Sequence, residues 1–317
     1  MMNNNIKAIV KRIKKAKNIA VFTHINPDFD ALSSALSLVE VFNKRGKKSY
    51  LFSKDKLTDN QESIYNKNLI NSKCNFEEYD LFISVDVPTV ARLGDYGTDF
   101  IKQDNTIVLD HHENNGLVGS LNYIDIKSSS CAEIVFKVLK NLKYRITSDV
   151  ATLLYSGLAG DTNSFINSNV NEESFKAALE LMKLGADINK INEYQFKSKT
   201  KKEIEFIKYL WDNVNIVKNC AYCLIDYTTL KSMKGSKNDC DFYSTELIKL
   251  RGVNYSFSII EDKKGTFSIS LRSKSGYDVK KVAEKLNGGG HVCAAGAKIN
   301  AGDIQEAKNK VISIILK

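Results

Sequence analysis

Four histidines and two prolines are all that 317 residues contain, and every histidine stands in a turn-like stretch beside glycine or aspartate. His24-Ile-Asn-Pro-Asp28-Phe-Asp30 follows the apolar run NIAVFT. Asp86 ends LFISV, Asp110-His111-His112 ends TIVL, and Asp161 follows a predicted helix within Gly-Leu-Ala-Gly-Asp-Thr. An aspartate directly after a buried strand costs free energy unless it is paired or bound to a metal. A helix N-cap explains Asp28 or Asp30 but not both together with His24. Asp161 alone reads as the cap of a following turn. Taken together, the imidazoles and carboxylates form a mixed ligand set suited to Mn²⁺, Zn²⁺ or Fe²⁺. They exceed what one open catalytic ion uses. They suit two ions roughly 3.5–4 Å apart that share a carboxylate, which make hydroxide from water and hold an in-line phosphoryl transition state.

A further cluster is Asn287-Gly288-Gly289-Gly290-His291, followed by Ala294-Ala295-Gly296. Glycines let backbone N–H groups approach a ligand, and a helix starting here would offer its N-terminus to an anion. Arg272, at the end of a predicted hairpin strand, is placed to reach the same anion. Residues 191–317 carry 22 Lys+Arg against 14 Asp+Glu, which leaves +1 of the overall +9 to residues 1–190. The C-terminal part either meets a phosphate-bearing partner or presents a lysine-rich solvated surface. Arginine is scarce, at six residues, so Arg92 and Arg272 stand out as planar forks for phosphate.

The elements that must position these residues follow from periodicity. A basic amphipathic helix is predicted over 5–17, and strands over 18–23, 48–53, 81–85 and 106–109. Further helices are predicted over 30–44, 130–142, 148–159 and 171–184. This alternation argues for an α/β fold with a parallel sheet in residues 1–185. Residues 186–214 read as a charged helical connector. Residues 215–317 form a second, smaller α/β domain: strands over 221–225, 255–260, 266–272 and 297–299, helices over 244–250, 278–286 and 303–316.

No apolar run reaches the roughly 18 residues that a membrane span needs, and the first 18 residues lack the apolar core of a secretory signal. Six scattered cysteines make no disulfide framework, and the expectation is a cytoplasmic protein with no membrane partner. Cys220-x-x-Cys223 has no second pair and reads as two strand residues. Lys197–Lys202 and the N-terminal KRIKKAK read as solvated basic surface rather than RNA or membrane contacts. Trp211 belongs to no stacking pattern.

The ordered motifs His24-x3-Asp28-x-Asp30, Asp86, Asp110-His111-His112 and Asp161 resemble the DHH phosphoesterase superfamily. The GGGH-x3-AG ending, with LRSK at 271–274 before it, resembles that family's DHHA1 substrate domain. The resemblance spans essentially the whole chain and is closest to the stand-alone bacterial nano-RNase/pAp-phosphatase proteins and related di-adenylate phosphodiesterases. It implies a parallel-sheet DHH domain, a smaller DHHA1 domain and an active site in the cleft between them. It implies one Mn²⁺ on His24, Asp28 and Asp86, and another on Asp30, Asp86, His111 and Asp161. Asp110 would orient a histidine, and His112 would contact the scissile phosphate and help the leaving oxygen depart. Arg272, Gly288, Gly289, Gly290 and His291 would grip the nucleotide, with Arg92 as a further phosphate contact. Phe29 stands where many members have glycine, and Asn287 replaces the first of four loop glycines.

The function expected is a Mn²⁺-dependent hydrolase that releases 5′-mononucleotides from very short RNAs, with 3′,5′-bisphosphate nucleotides (pAp) as a further substrate. The alternative is hydrolysis of cyclic di-AMP or pApA. A catalytically silent nucleotide binder would lack a ligand, and none is missing; an inorganic pyrophosphatase would not need the GGGH loop. A homodimer is common in the subgroup.

Overall fold

Six strands of the first half form one sheet: β1 (Asn18–Phe22), β2 (Lys48–Phe52), β3 (Ile70–Asn71), β4 (Leu81–Val85), β5 (Thr106–Asp110) and β6 (Leu121–Ile124). The computed structural model describes residues 5–113 and 116–316, and the chain divides into two units at Ser198 and Lys199. The strand order is β3-β2-β1-β4-β5-β6, and every neighbouring pair is parallel. β4 is buried along its whole length, as a strand covered on both faces must be. One face packs on helix Phe29–Lys44, which buries Leu32, Leu36, Val39 and Phe42 among residues of helices Cys131–Leu142 and Ser148–Asp161. The other face carries an aromatic cluster of Phe22, Phe52, Phe82 and Phe100. Each fully buried Phe contributes about 1.5–3 kcal/mol.

The chain runs outward from β1 to β3 and then returns to lay β4 beside β1. That reversal is where an open α/β sheet forms its ligand crevice, beyond the carboxyl ends of the strands. The N-terminal helix, Ile6–Lys15, buries Ile9 and Ile13 in the core. Its apolar face is used internally, so only the basic face is left for solvent. β3 and β6 were not foreseen, because two or four residues at a sheet edge carry too little pattern.

The second unit holds a mixed sheet of β7 (Asn215–Val217), β8 (Cys220–Ile225), β9 (Tyr255–Lys263), β10 (Thr266–Ser273), β11 (Gly289–His291) and β12 (Ala294–Asn300). Its order is β11-β12-β10-β9-β8-β7; β8 and β9 run parallel and the other pairs antiparallel. The β9–β10 hairpin turns through Gly265 at φ +74°. Cys220 and Cys223 fall in different core clusters on the two faces of β8, so strand alternation itself keeps the thiols apart.

Two expectations change. Gly289–His291 is an edge strand paired with β12, not a helix start; the next helix begins at Ile304, capped by Asp303. Three glycines followed by histidine have little helix propensity, and the pairing β12 offers prevails. The segment 186–214 is divided between the units: Ile191 is buried in the first core, Phe206 and Leu210 in the second. Among the described residues, no helix is long and apolar enough to cross a membrane.

Candidate metal centre

The crevice residues sit at the carboxyl ends of β1, β4 and β5, as the sheet order requires. His24 lies two residues past β1, and the chain then turns through Asn26 at positive φ. Asp28 caps helix Phe29–Lys44 with Oδ1, 3.0 Å from Ala31 N, leaving Oδ2 to face His24 Nε2 at 3.9 Å. Asp86 directly follows β4 at φ +60°, a conformation unfavourable for any side chain but tolerated best by Asp and Asn. Its N–H donates to Leu109 O at 3.0 Å, which holds that geometry. Asp110 is the last residue of β5 and is fully buried.

Two side chains reach the crevice from helices. Asp30, 1% exposed, accepts from Cys131 N at 2.6 Å and Ala132 N at 2.9 Å. It therefore sits on the N-terminus of helix Cys131–Leu142, where a negative charge is favoured. Asp161 ends helix Ser148–Asp161 and presents Oδ2 to His111 Nε2 at 3.1 Å. Among the described residues its side chain caps no turn: Asn171 caps the next helix, and Asp161 faces the cluster. The capping signature Ser130-x-x-Glu133 marks the start of helix Cys131–Leu142 in the sequence, but no sequence signal says that its first N–H groups meet Asp30.

Asp86 stands at the centre. Its Oδ2 lies 3.7 Å from His24 Nε2 and its Oδ1 3.4 Å from His111 Nε2. Ligand atoms gather within 4.8 Å of one another in the groups His24/Asp28/Asp86, Asp30/His111/Asp161 and Asp86/His111/His112. His112 differs from His24 and His111 in that its Nδ1 meets a carboxylate, Asp110 at 2.8 Å, where theirs meet the Ile25 and Ser128 carbonyl oxygens. Arg92 Nη2 lies 2.9 Å from His24 Nδ1. A crevice of about 160 Å³ opens on His24, Asp28, Asp86, Arg92, His112 and Asp161.

The electrostatics are those of carboxylates crowded together. Burial pushes the Asp30 carboxyl well up, reinforced by Asp161 and Asp86. Asp28 is pushed up to about 6, by desolvation first and then by Asp86 and Asp161; its side chain is 56% exposed, so solvent tempers the first cause. Burial would raise Asp86 as well, but His111, His112 and His24 outweigh it and its pKa is lowered. For His111, burial favours the neutral ring, yet the facing carboxylates of Asp161 and Asp86 prevail and push it up to about 12. Even so, among the described residues no donor reaches buried Asp86 Oδ1 in good hydrogen-bond geometry, the approach of His111 Nε2 being long at 3.4 Å, and such an omission ordinarily costs about 1–3 kcal/mol. Crowded hard oxygens, two imidazoles and an orphaned buried carboxylate oxygen fit divalent cations.

The remaining expected residues lie in the second unit. Arg272, on β10, donates from Nη1 to Leu271 O at 3.0 Å, and burial pushes its guanidinium pKa down. Gly288 lines a cavity of about 400 Å³ with Ser268, Ser270, Gly296 and Lys298. Ser268, Ser270 and Arg272 alternate along β10 and share one face of the sheet. Gly289, Gly290 and His291 form the exposed edge strand β11.

Comparison with known proteins agrees with this architecture. Residues 18–158 match the DHH family, N-terminal domain, and residues 225–317 match the DHHA1 domain. The chain is 28% identical to the probable bifunctional oligoribonuclease and PAP phosphatase NrnA of Streptococcus mutans, covering 96% of this chain and 98% of that one. Its fold is similar to the crystal structure of an exopolyphosphatase-related protein from Bacteroides fragilis, at TM-score 0.90 and 22% identity over 98% of this chain and 95% of that one. It is also similar to the exonuclease RecJ bound to manganese, at TM-score 0.58 and 12% identity over 100% and 96% of the two chains. With both domains present in order, the chain belongs to the DHH–DHHA1 phosphoesterases, hydrolases of phosphoester bonds.

Proposed function

We propose that this hydrolase is a Mn²⁺-dependent phosphodiesterase that removes 5′-mononucleotides from very short RNAs in the cytoplasm and also dephosphorylates pAp. The observation that carries the metal reading is Asp86, whose two carboxylate oxygens face His24 on one side and His111 on the other. One ion would be held by His24, Asp28 and Asp86, and a second by Asp30, Asp86, His111 and Asp161. When bound, such a pair lowers the pKa of a coordinated water and neutralises phosphate charge. The manganese of RecJ and the name of the Streptococcus mutans relative support the choice of ion and of substrate.

The protein's own groups supply the rest. Asp110 holds His112 through Nδ1 at 2.8 Å and raises its pKa against the opposing effect of burial. In its imidazolium form, which Asp110 favours, the ring has an Nε2 proton to give to the leaving oxygen. Arg92 lines the crevice and offers its fork to a phosphate. In the second unit, Arg272, Gly288, Gly289, Gly290 and His291 bind the nucleotide.

The test is product analysis with Mn²⁺ on a labelled RNA dinucleotide, pAp and cyclic di-AMP, each beside Asp86→Ala. Mononucleotide release that the substitution abolishes is the expected result. Fastest cleavage of cyclic di-AMP would make this a signalling phosphodiesterase instead, and no turnover of any substrate would leave a silent nucleotide binder.

A further inference from the structure

Beneath the carboxylate cluster runs a seam of hydrogen-bonded side chains that the proposed chemistry does not use. Tyr65 is 4% exposed. Its hydroxyl oxygen lies 2.9 Å from Ser33 Oγ, 3.0 Å from Ser156 Oγ and 3.0 Å from the Phe29 carbonyl oxygen. Ser156 Oγ donates to Gln195 Oε1 at 3.0 Å, and Gln195 Nε2 donates back to Ser156 O at 3.3 Å. Phe29 separates Asp28 from Asp30, Ser33 lies one turn beyond, and Ser156 belongs to the helix that ends in Asp161. Gln195 sits in the π-helical turn Asn192–Lys197, a rare form that recurs at functional sites.

The glycines of the Gly-Leu-Ala-Gly-Asp motif make room for this seam. A Cβ on Gly157 would stand 2.7 Å from Asp30 Oδ1 and 3.0 Å from Ser33 Cβ. A Cβ on Gly160 would stand 2.9 Å from Gln195 Nε2 and 3.1 Å from Phe29 Cβ. The helix carrying Asp161 is thus pressed against the turn carrying Asp28 and Asp30, with hydroxyls as the polar filling. Ser33, Tyr65 and Ser156 bring one hydroxyl proton each, which is fewer than the contacts to be served. Ser156 gives its proton to Gln195, so the proton of Tyr65 is divided between Phe29 O and Ser156 Oγ. Tyr65 is the joint between the two ligand-bearing segments, and Gln195 fixes its partner.

We propose that Tyr65 and Gln195 are positioning residues that set the spacing of Asp28 and Asp30 against Asp161, and through it the affinity for divalent cations. The inference rests on the reading of the cluster as a metal centre. Metal-stripped full-length protein is titrated with Mn²⁺ and followed by electron paramagnetic resonance, for wild type, Tyr65→Phe, Gln195→Ala and the core truncation Ile9→Val. Loss of a partner that orients ligands weakens metal binding by about 10–100-fold. Tyr65→Phe is expected at the low end, about tenfold, with an altered spectrum of the bound ions, and Gln195→Ala weakens binding less. Ile9→Val lowers the melting temperature but titrates as wild type does. Wild-type titrations for both Tyr65→Phe and Gln195→Ala would overturn the inference, and if Tyr65→Phe does not fold, Gln195→Ala decides alone. A wild-type protein that takes up no Mn²⁺ would overturn the metal centre itself, a result distinct from variants that bind as tightly as wild type.

Discussion

Replacing Gly157 by alanine sets two effects of opposite sign against each other. Gly157 lies inside helix Ser148–Asp161, where alanine is favoured over glycine by about 1 kcal/mol. On propensity alone the substitution stabilises the protein. The structure says otherwise: the new Cβ would lie 2.7 Å from Asp30 Oδ1, 2.7 Å from Ala132 Cβ and 3.0 Å from Ser33 Cβ. No flexible side-chain end is there to yield. Asp30 is tied to Cys131 N and Ala132 N, and the other two are stubs on packed helices. Overpacking of this kind costs about 1–3 kcal/mol, so the net change is a loss of about 1 kcal/mol after the propensity gain. For a unit of this size that is about 2–4 °C in Tm. Because relief of the clash moves Asp30 off its two N–H donors, Mn²⁺ affinity falls as well, by about tenfold or more. Calorimetric melting of the metal-free protein and a Mn²⁺ titration read the two effects separately. A Tm at or above that of wild type with unchanged Mn²⁺ affinity would refute the close packing of Gly157 on Asp30.

The raised carboxyl groups also fix how metal-free stability depends on pH. Asp28 is raised from 3.8 to about 6 and Asp30 is raised well above 3.8, in both cases by burial and neighbouring carboxylates. Above 3.8 and through about 6 the folded state binds more protons than the unfolded one, so stability falls as pH rises. His111 acts in the same sense: its contribution is complete below 6.5 and drains away as pH climbs toward about 12. Asp86, whose pKa is lowered, opposes them only where pH drops through its folded value. Melting scans in EDTA are expected to show Tm decreasing from about pH 4 upward, with Mn²⁺ restoring it, and Asp28→Asn flattening the slope; a Tm that rises over that range contradicts the crowding. In the second unit, a Cβ on Gly288 would stand 2.2 Å from Gly296 O and 2.6 Å from Ala297 Cβ. Gly288→Ala is therefore expected to raise KM for an RNA dinucleotide while Mn²⁺ binding by the first unit is unaltered; an unchanged KM would remove this loop from substrate binding.

The residue types of the proposed site, their order and the attachment of His24, Asp86 and Asp110 to strand ends were legible in the sequence, because each of these three follows an apolar run of strand length. β1, β4 and β5 declare themselves by near-continuous hydrophobicity, and the aspartates and histidines at their ends have no inexpensive structural explanation. Tertiary structure alone decided the sheet order, which lays β1 beside β4 and so brings His24 to Asp86, 62 positions further along the chain. It alone showed that Asp161, at the end of the predicted helix, turns toward His111. The N–H groups of Cys131 and Ala132 under Asp30 and the hydroxyl seam at Tyr65 belong to the same class. The glycine run misled, because backbone freedom in a sequence does not say which partner will use it; β12 did. Periodicity is a local property that burial imprints on each element. Contacts between elements depend on which surfaces meet, and one sequence read locally carries no record of that.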